Sequence, residues 1–297
     1  MDVEAATQSP FALVDVDTIA VGLFGGQELA PEALQQLVDR GEAKTSFKHL
    51  AQTQLDPSPG QRSPRRVIVV GLGEPEAFDS ERGRVAAAVV CRRAQELGTK
   101  TLAWELPAGS GAAVAEALVQ GTLLRAYRFD RYRPATDHPP QRLVVCGEPD
   151  VSEAVRRAAI LTRAQNRARD LANTPANDLS PAALADYAEE LAGRFPSLSV
   201  EILDGEQIRA AGMGAFAAVA QGSAQDARLI RLEYRTPGAS PPRLGLIGKG
   251  ITFDSGGLSL KSAEHMHEMK FDMAGAAAVI EAIDALAELE APGAVLG

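Results

Sequence analysis

Hydrophobic positions in the first half of the chain fall into short runs, each followed by a stretch where they recur every three or four residues. Thr18–Phe24 (TIAVGLF), Arg66–Gly73 (RVIVVGLG), Thr101–Leu106 (TLAWEL) and Arg142–Gly147 (RLVVCG) read as strands, several of them too apolar to have a wet face. Between them Pro31–Asp39, Glu81–Leu97 and Ala112–Tyr127 carry helical periodicity; the first shows it at Leu34, Leu37 and Val38. Phe11–Val14 reads as a further β-rich run. Leu55–Arg65 (LDPSPGQRSPR) reads as a surface loop rich in proline, serine and glycine. Strands alternating with helices predict a layered α/β domain with mainly parallel strands and right-handed crossovers.

The second half opens on one long helix, Val151–Ala172. Val155, Ala159, Thr162 and Leu171 form its apolar face, and Arg156, Arg157, Arg163, Arg167 and Arg169 crowd its polar side. Asn173-Thr174-Pro175 stops it, and Ser180-Pro181 supplies an N-cap and a first-turn proline for the next helix, Pro181–Phe195. Strands follow at Ser199–Leu203, Leu229–Tyr234 and Leu244–Ile247, the last expected to be buried, with a small-residue loop over Val219–Asp226. An apolar helix spans Met273–Leu289, and Ala294–Gly297 (AVLG) opens another apolar strand. The pattern places a domain boundary near Asp150. Residues 1–150 form an N-terminal α/β domain, and residues 151–297 a linker helix with the first part of a second α/β domain.

Chemistry concentrates after Leu244. Lys249, Asp254, Lys261 and Asp272 each stand beside glycine or an apolar neighbour, and Gly256-Gly257 lets the backbone approach what the carboxylates hold. Two readings are open on the residues alone: surface ion pairs on a glycine-rich loop, or carboxylates gathered for a divalent metal. For Asp272 a plain helix N-cap ahead of Met273–Leu289 is a third. A lysine ligates only as the neutral amine, so a metal role requires its pKa to fall far below the usual value near 10.4. Lys249, with glycine on both sides, is the better ligand. Lys261, beyond the double glycine, is better placed to stay an ammonium and stabilise developing negative charge.

Composition narrows the alternatives. With 45% hydrophobic and 23% charged residues over 297 positions, the chain is globular and long enough for two cores. A net charge of −9 disfavours nucleic acid or an anionic membrane as the main partner. Cys91 and Cys146 form no disulfide framework and read as reduced core thiols. The acidic start, MDVEAATQSP, lacks a signal-peptide pattern, no apolar run is long enough for a membrane span, and a cytoplasmic protein is expected. Gly71-Leu72-Gly73 could open a dinucleotide site, but Glu76 occupies the place of the third glycine, which favours an ordinary β–α turn. The run Arg125–Arg133 (RAYRFDRYR) could stack on bases, yet Asp130 interrupts it, which favours a solvated face or a subunit contact. His265 and His267 stand two apart and so do not share a helix face; surface histidines are expected.

The string GKGITFDSGGLSLK, Gly248–Lys261, followed by MKFDMAGAAAV, Met269–Val279, resembles the signature of the leucyl aminopeptidase family, the cytosol-type two-metal peptidases. The resemblance continues through ARDLANTPANDLSP (Ala168–Pro181), MGAFAAVAQGS (Met213–Ser223) and ARLIRLEYR (Ala227–Arg235), and is strong from Ala168 to about Ile280. It implies an α/β metallopeptidase domain, with Lys249, Asp254 and Asp272 as metal ligands, Asp254 shared by two divalent ions (manganese or zinc), and Lys261 as a catalytic residue. It further implies release of N-terminal residues such as leucine from peptides with a free N-terminus, and a homohexamer. The rival reading is a non-catalytic binding or assembly module that keeps the fold. The family's NTDAEGR segment, which supplies the remaining ligands, is absent. Glu281, Asp284, Glu288 and Glu290 read as the solvent face of the last helix, and AVLG as an unpaired edge. The chain is therefore expected to be an inactive fragment of a longer peptidase.

Overall fold

The computed structural model describes residues 1–56, 65–134, 138–241 and 244–297. The chain divides into two compact units, Met1–Thr162 and Arg163–Gly297.

The first unit is built on six strands: β1 (Asp2–Ala6), β2 (Thr18–Phe24), β3 (Leu50–Leu55), β4 (Arg65–Gly73), β5 (Thr101–Glu105) and β6 (Arg142–Cys146). Their spatial order is β1-β6-β5-β2-β4-β3, parallel throughout except that β3 runs antiparallel to β4. The helices are α1 (Glu32–Asp39), α2 (Ser80–Glu96) and α3 (Ala112–Ala126). Side chains alternate along the central strands into two separate cores. Ile68, Val70, Leu102, Trp104, Leu143 and Val145 pack in one, while Ile19, Val21, Leu23, Val67, Val69 and Val144 pack in the other. The expected parallel α/β layering is present.

The pattern missed two strands, and one expectation needs correction. The two edge strands, β1 and β3, gave no apolar run, because an edge strand is solvated along one side and tolerates polar residues. Phe11–Val14 is no strand. A short 3₁₀ turn spans Pro10–Ala12, capped by Ser9, and the buried Arg65 donates to the carbonyls of Pro10 (3.3 Å), Phe11 (2.9 Å) and Leu13 (3.0 Å). Those bonds satisfy backbone acceptors that a strand would have paired. Of the loop expected over Leu55–Arg65, residues 57–64 lie outside the described residues, while Leu55 and Arg65 belong to strands.

Gly71, near the end of β4, has a packing cause: a Cβ there would stand 2.2–2.9 Å from the carbonyl oxygens of Ser46, Lys44 and Thr45. In the Arg125–Arg133 run, Arg128 pairs with Asp130 at 3.0 Å and Phe129 meets Tyr132 edge-to-face. Both cysteines are buried, and burial pushes each thiol up to about 12.

Helix α4 (Ser152–Asn173) runs through the division between the units. Its Val155, Ala158 and Ala159 pack in the first unit's core, and its Leu171 in the second's. The second unit contains α5 (Pro181–Ala192), β7 (Leu198–Asp204), α6 (Gly205–Ala210), α7 (Gly214–Ala220), β8 (Arg228–Arg235), β9 (Leu244–Gly245), α8 (Ala263–Met266), α9 (Ala274–Glu288) and β10 (Ala294–Leu296). Ser180 caps α5, its hydroxyl accepting from the Ala183 amide at 3.2 Å with Pro181 in the first turn, as expected. The Val219–Asp226 loop begins as the last turn of α7, whose small residues gave no helical periodicity.

The sheet order is β7-β8-β10-β9. Strand β10 is therefore not an open edge: it pairs antiparallel with β8 and parallel with β9, and Gly297 exchanges two 2.8 Å bonds with Leu232. The edges are β7 and β9, and β9 pairs only with β10 among the described residues. For that reason the apolar run Leu244–Ile247 is not buried; Leu244 is 55% and Ile247 99% exposed. Glu281 and Asp284 correct the solvent-face reading of α9, being 2% and 0% exposed. Arg167 of α4 donates to both, at 2.7 Å to Glu281, Tyr187 of α5 donates to Glu281, and Arg194 to Asp284 at 3.2 Å. The arginine that crowded the polar side of α4 is what makes those carboxylates tolerable inside.

Candidate metal centre

Four charged side chains meet in the second unit, on the segments leaving β9 and entering α9. Beyond Leu246 the chain passes over the first turn of α9, where the Lys249 carbonyl accepts the Ala276 amide at 2.9 Å. This places the Lys249 ammonium 2.9 Å from Asp272 Oδ1. The chain then loops through Asp254, whose Oδ1 accepts the Gly256 amide at 2.8 Å, and returns to place Lys261 Nζ 2.8 Å from Asp254 Oδ2. Lys261 also donates to the Asp254 carbonyl at 3.2 Å and lies 3.0 Å from the Met269 sulfur, a partner with no sequence signal. The structure thus brings together all four residues singled out from the sequence, as two ion pairs.

The pairs share one electrostatic field. The Lys261 ammonium, then the Gly256 amide, with Lys249 contributing, holds the Asp254 carboxyl below the usual carboxylate range. Asp272's hydrogen bond, then the charges of Asp272 and Asp254, raises the Lys249 ammonium above its ordinary value. In this arrangement Lys249 is a cation rather than the neutral amine that ligation requires. To serve as a ligand, the Lys249 amine would have to give up its proton.

Asp272 is not a helix cap: α9 has no side-chain N-cap bond, and Asp272 ends a 3₁₀ turn at His267–Phe271. Its Oδ2 is buried and finds no hydrogen-bond partner among the described residues. A buried carboxylate oxygen without a donor is costly unless a cation completes it. Carboxylate oxygens, with an amine nearby, suit a hard or borderline divalent ion, so the residues present fit such a metal as part of a ligand set. Among the described residues no group of three or more histidine, cysteine or acidic side chains is arranged to hold a metal ion. His265 and His267 are exposed, and His265 lies 3.8 Å from Glu268. Beside Lys249 opens an apolar cavity of about 400 Å³, lined in part by Phe216, Val219, Leu229, Ile251, Phe253 and Val279.

Comparison with known proteins identifies the family of the chain. The catalytic-domain model of the cytosol aminopeptidase family matches residues 166–297, and the family's N-terminal-domain model matches residues 20–136. A probable cytosol aminopeptidase of Roseiflexus castenholzii is 40% identical over 93% of this chain and 58% of its own length. One from Solibacter usitatus is 38% identical over 95% and 59% respectively. Among solved structures, the bottromycin maturation enzyme BotP in complex with Mn superposes with a TM-score of 0.80 at 34% identity, over 95% of this chain and 58% of BotP. A mutant tomato leucine aminopeptidase gives 0.78 at 26% identity, over the whole of this chain and 61% of its own. The chain spans less than two thirds of the length of each of these relatives. With both domain models matched in order along one chain, and the quartet of lysines and aspartates inside the second match, the protein belongs to the cytosol aminopeptidase family.

Proposed function

We propose that this chain is part of a metal-dependent aminopeptidase that removes N-terminal residues, leucine and similar ones, from peptides with a free N-terminus. The observation that carries the proposal is the buried Asp272 Oδ2, which has no hydrogen-bond partner among the described residues, in the field of the Lys249 and Asp254 groups. Lys249, Asp254 and Asp272 would hold two divalent ions, manganese or zinc, with Asp254 shared. When bound, the ions supply Lewis-acid polarisation of the scissile carbonyl and a lowered pKa for the attacking water.

The chain's own residues do the rest. Asp254 is kept deprotonated by Lys261 and the Gly256 amide, so it is a full acceptor at neutral pH. Lys261, half-buried and aimed by Asp254 and Met269, is the donor placed to stabilise a developing oxyanion. The division into an N-terminal domain over residues 1–150 and a linker with the opening of the catalytic domain over residues 151–297 belongs to this proposal. So do a cytoplasmic location and a homohexamer. No helix among the described residues is long and apolar enough to cross a membrane.

The 297 residues alone are proposed to bind metal but not to turn over, because the ligand set is incomplete. The test titrates the purified chain with Mn²⁺, follows the free ion by electron paramagnetic resonance, and assays a leucyl-amide substrate. Weak binding that Asp254→Ala abolishes, without hydrolysis, is expected. Binding unchanged in Asp254→Ala would remove Asp254 from the site. Chelator-sensitive hydrolysis by the chain would refute the inactivity.

A further inference from the structure

Gly248 and Gly275 face each other where the segment after β9 crosses the first turn of α9. A Cβ on Gly248 would stand 2.3 Å from the Gly275 carbonyl oxygen and 2.6 Å from the Ala276 Cα. One on Gly275 would stand 2.9 Å from the Lys249 amide nitrogen and 3.3 Å from its carbonyl oxygen. All four are backbone atoms, which cannot rotate aside as a side-chain tip can. At the same crossing the Lys249 carbonyl accepts the Ala276 amide at 2.9 Å, satisfying one of the orphan donors of a helix that lacks a side-chain cap.

Helix stability alone does not explain Gly275. It lies exposed in the first turn of a helix and has no positive φ, where alanine would be preferred by about 0.5–1 kcal/mol. We infer that Gly248 and Gly275 are positioning residues: their backbone-to-backbone contact sets how closely the Lys249 segment lies on α9, and so holds Lys249 against Asp272. The contact acts on the ion pair in the metal-free chain. Its relevance to catalysis rests on the metal site proposed above.

The inference is tested on the whole chain without metal. Gly275→Ala and Gly248→Ala, with Asp272→Asn as a reference, are treated with an amine-acylating ester, and Lys249 labelling is followed by mass spectrometry. Amide exchange at Ala276 is measured in parallel. Gly275→Ala is expected to melt near the wild-type temperature, its gain in helix propensity offsetting the strained contact, and Gly248→Ala, whose Cβ would meet backbone at 2.3 Å, to melt lower while still folding. Lys249 labelling should rise about two- to fivefold, the scale of an exposed ion pair, towards the Asp272→Asn rate. Exchange at Ala276 should quicken as its bond to Lys249 lengthens. The two substitutions push the same contact apart from opposite sides, so if one variant fails to fold the other is read. Wild-type labelling and exchange rates in a folded variant would overturn the inference. A Mn²⁺ titration of the same samples keeps the two proposals apart: a wild-type chain that binds no Mn²⁺ refutes the metal site, while the labelling and exchange still decide the role of the glycines.

Discussion

Arg167→Leu is expected to cost the second unit about 3–5 kcal/mol, the range for removing one partner from a buried charge cluster. Arg167 is the cation common to Glu281 and Asp284, which are almost wholly buried in α9. Its loss leaves Glu281 with the Tyr187 hydroxyl and Asp284 with the more exposed Arg194. Burial already raises both carboxyls above their ordinary range, with Tyr187 and Arg167 opposing the rise at Glu281, and Arg167 and Arg194 at Asp284.

The sign of the pH dependence follows. A carboxyl whose folded pKa lies above its unfolded value binds more protons when folded, so stability falls as pH rises through the interval between the two. Removing Arg167 widens that interval. The deficit of the variant should therefore grow as pH rises, and be larger at about pH 8 than at about pH 5, because a carboxyl that keeps its proton needs no cation. Urea unfolding of wild type and Arg167→Leu at both pH values measures this. A deficit below about 1 kcal/mol at neutral pH, or one that grows towards acid, would show that the cluster is not held as described.

The same cluster shows where the sequence was misleading. Glu281 and Asp284 are three apart on a helix, a spacing equally suited to a wet face and to a shared cation. The deciding partner, Arg167, lies more than a hundred residues away, and periodicity carries no information at that range. The alternating strands and helices of the first unit were legible because a strand buried on both faces is a continuous apolar run; its polar edge strands β1 and β3 were not. Leu244–Ile247 failed in the opposite sense. Its apolar run promised a buried strand, yet β9 takes a sheet edge because β10 is the strand between it and β8. Of the candidate site, the four charged residues were legible from their apolar and glycine neighbours. The pairing of Lys249 with Asp272 and of Lys261 with Asp254 was not, since it depends on the crossing at Gly248 and Gly275 and on the return of the loop to Asp254.

That pairing leads to the second large effect. In a form of the protein that hydrolyses a leucyl-amide substrate, Lys261→Ala is expected to lower kcat about a hundred- to a thousandfold, equivalent to ~2.7–4 kcal/mol of barrier, the cost of losing one preorganised oxyanion donor. Metal content should stay near normal, because Lys261 reaches Asp254 as an ammonium and leaves Asp272 untouched. Lys249→Ala should behave differently. Its amine stands 2.9 Å from Asp272 and within the field of Asp254, so its removal takes away a prospective ligand and weakens metal retention before it affects the chemical step. Lys261→Arg keeps the charge but not the compact ammonium, and should recover only part of the loss. Metal content by mass analysis, measured beside kcat and KM for each variant, separates the roles. If Lys261→Ala loses the metals while Lys249→Ala keeps them at full turnover, the two lysines exchange assignments, and Asp254 with Lys261 becomes the half of the site that holds the ions.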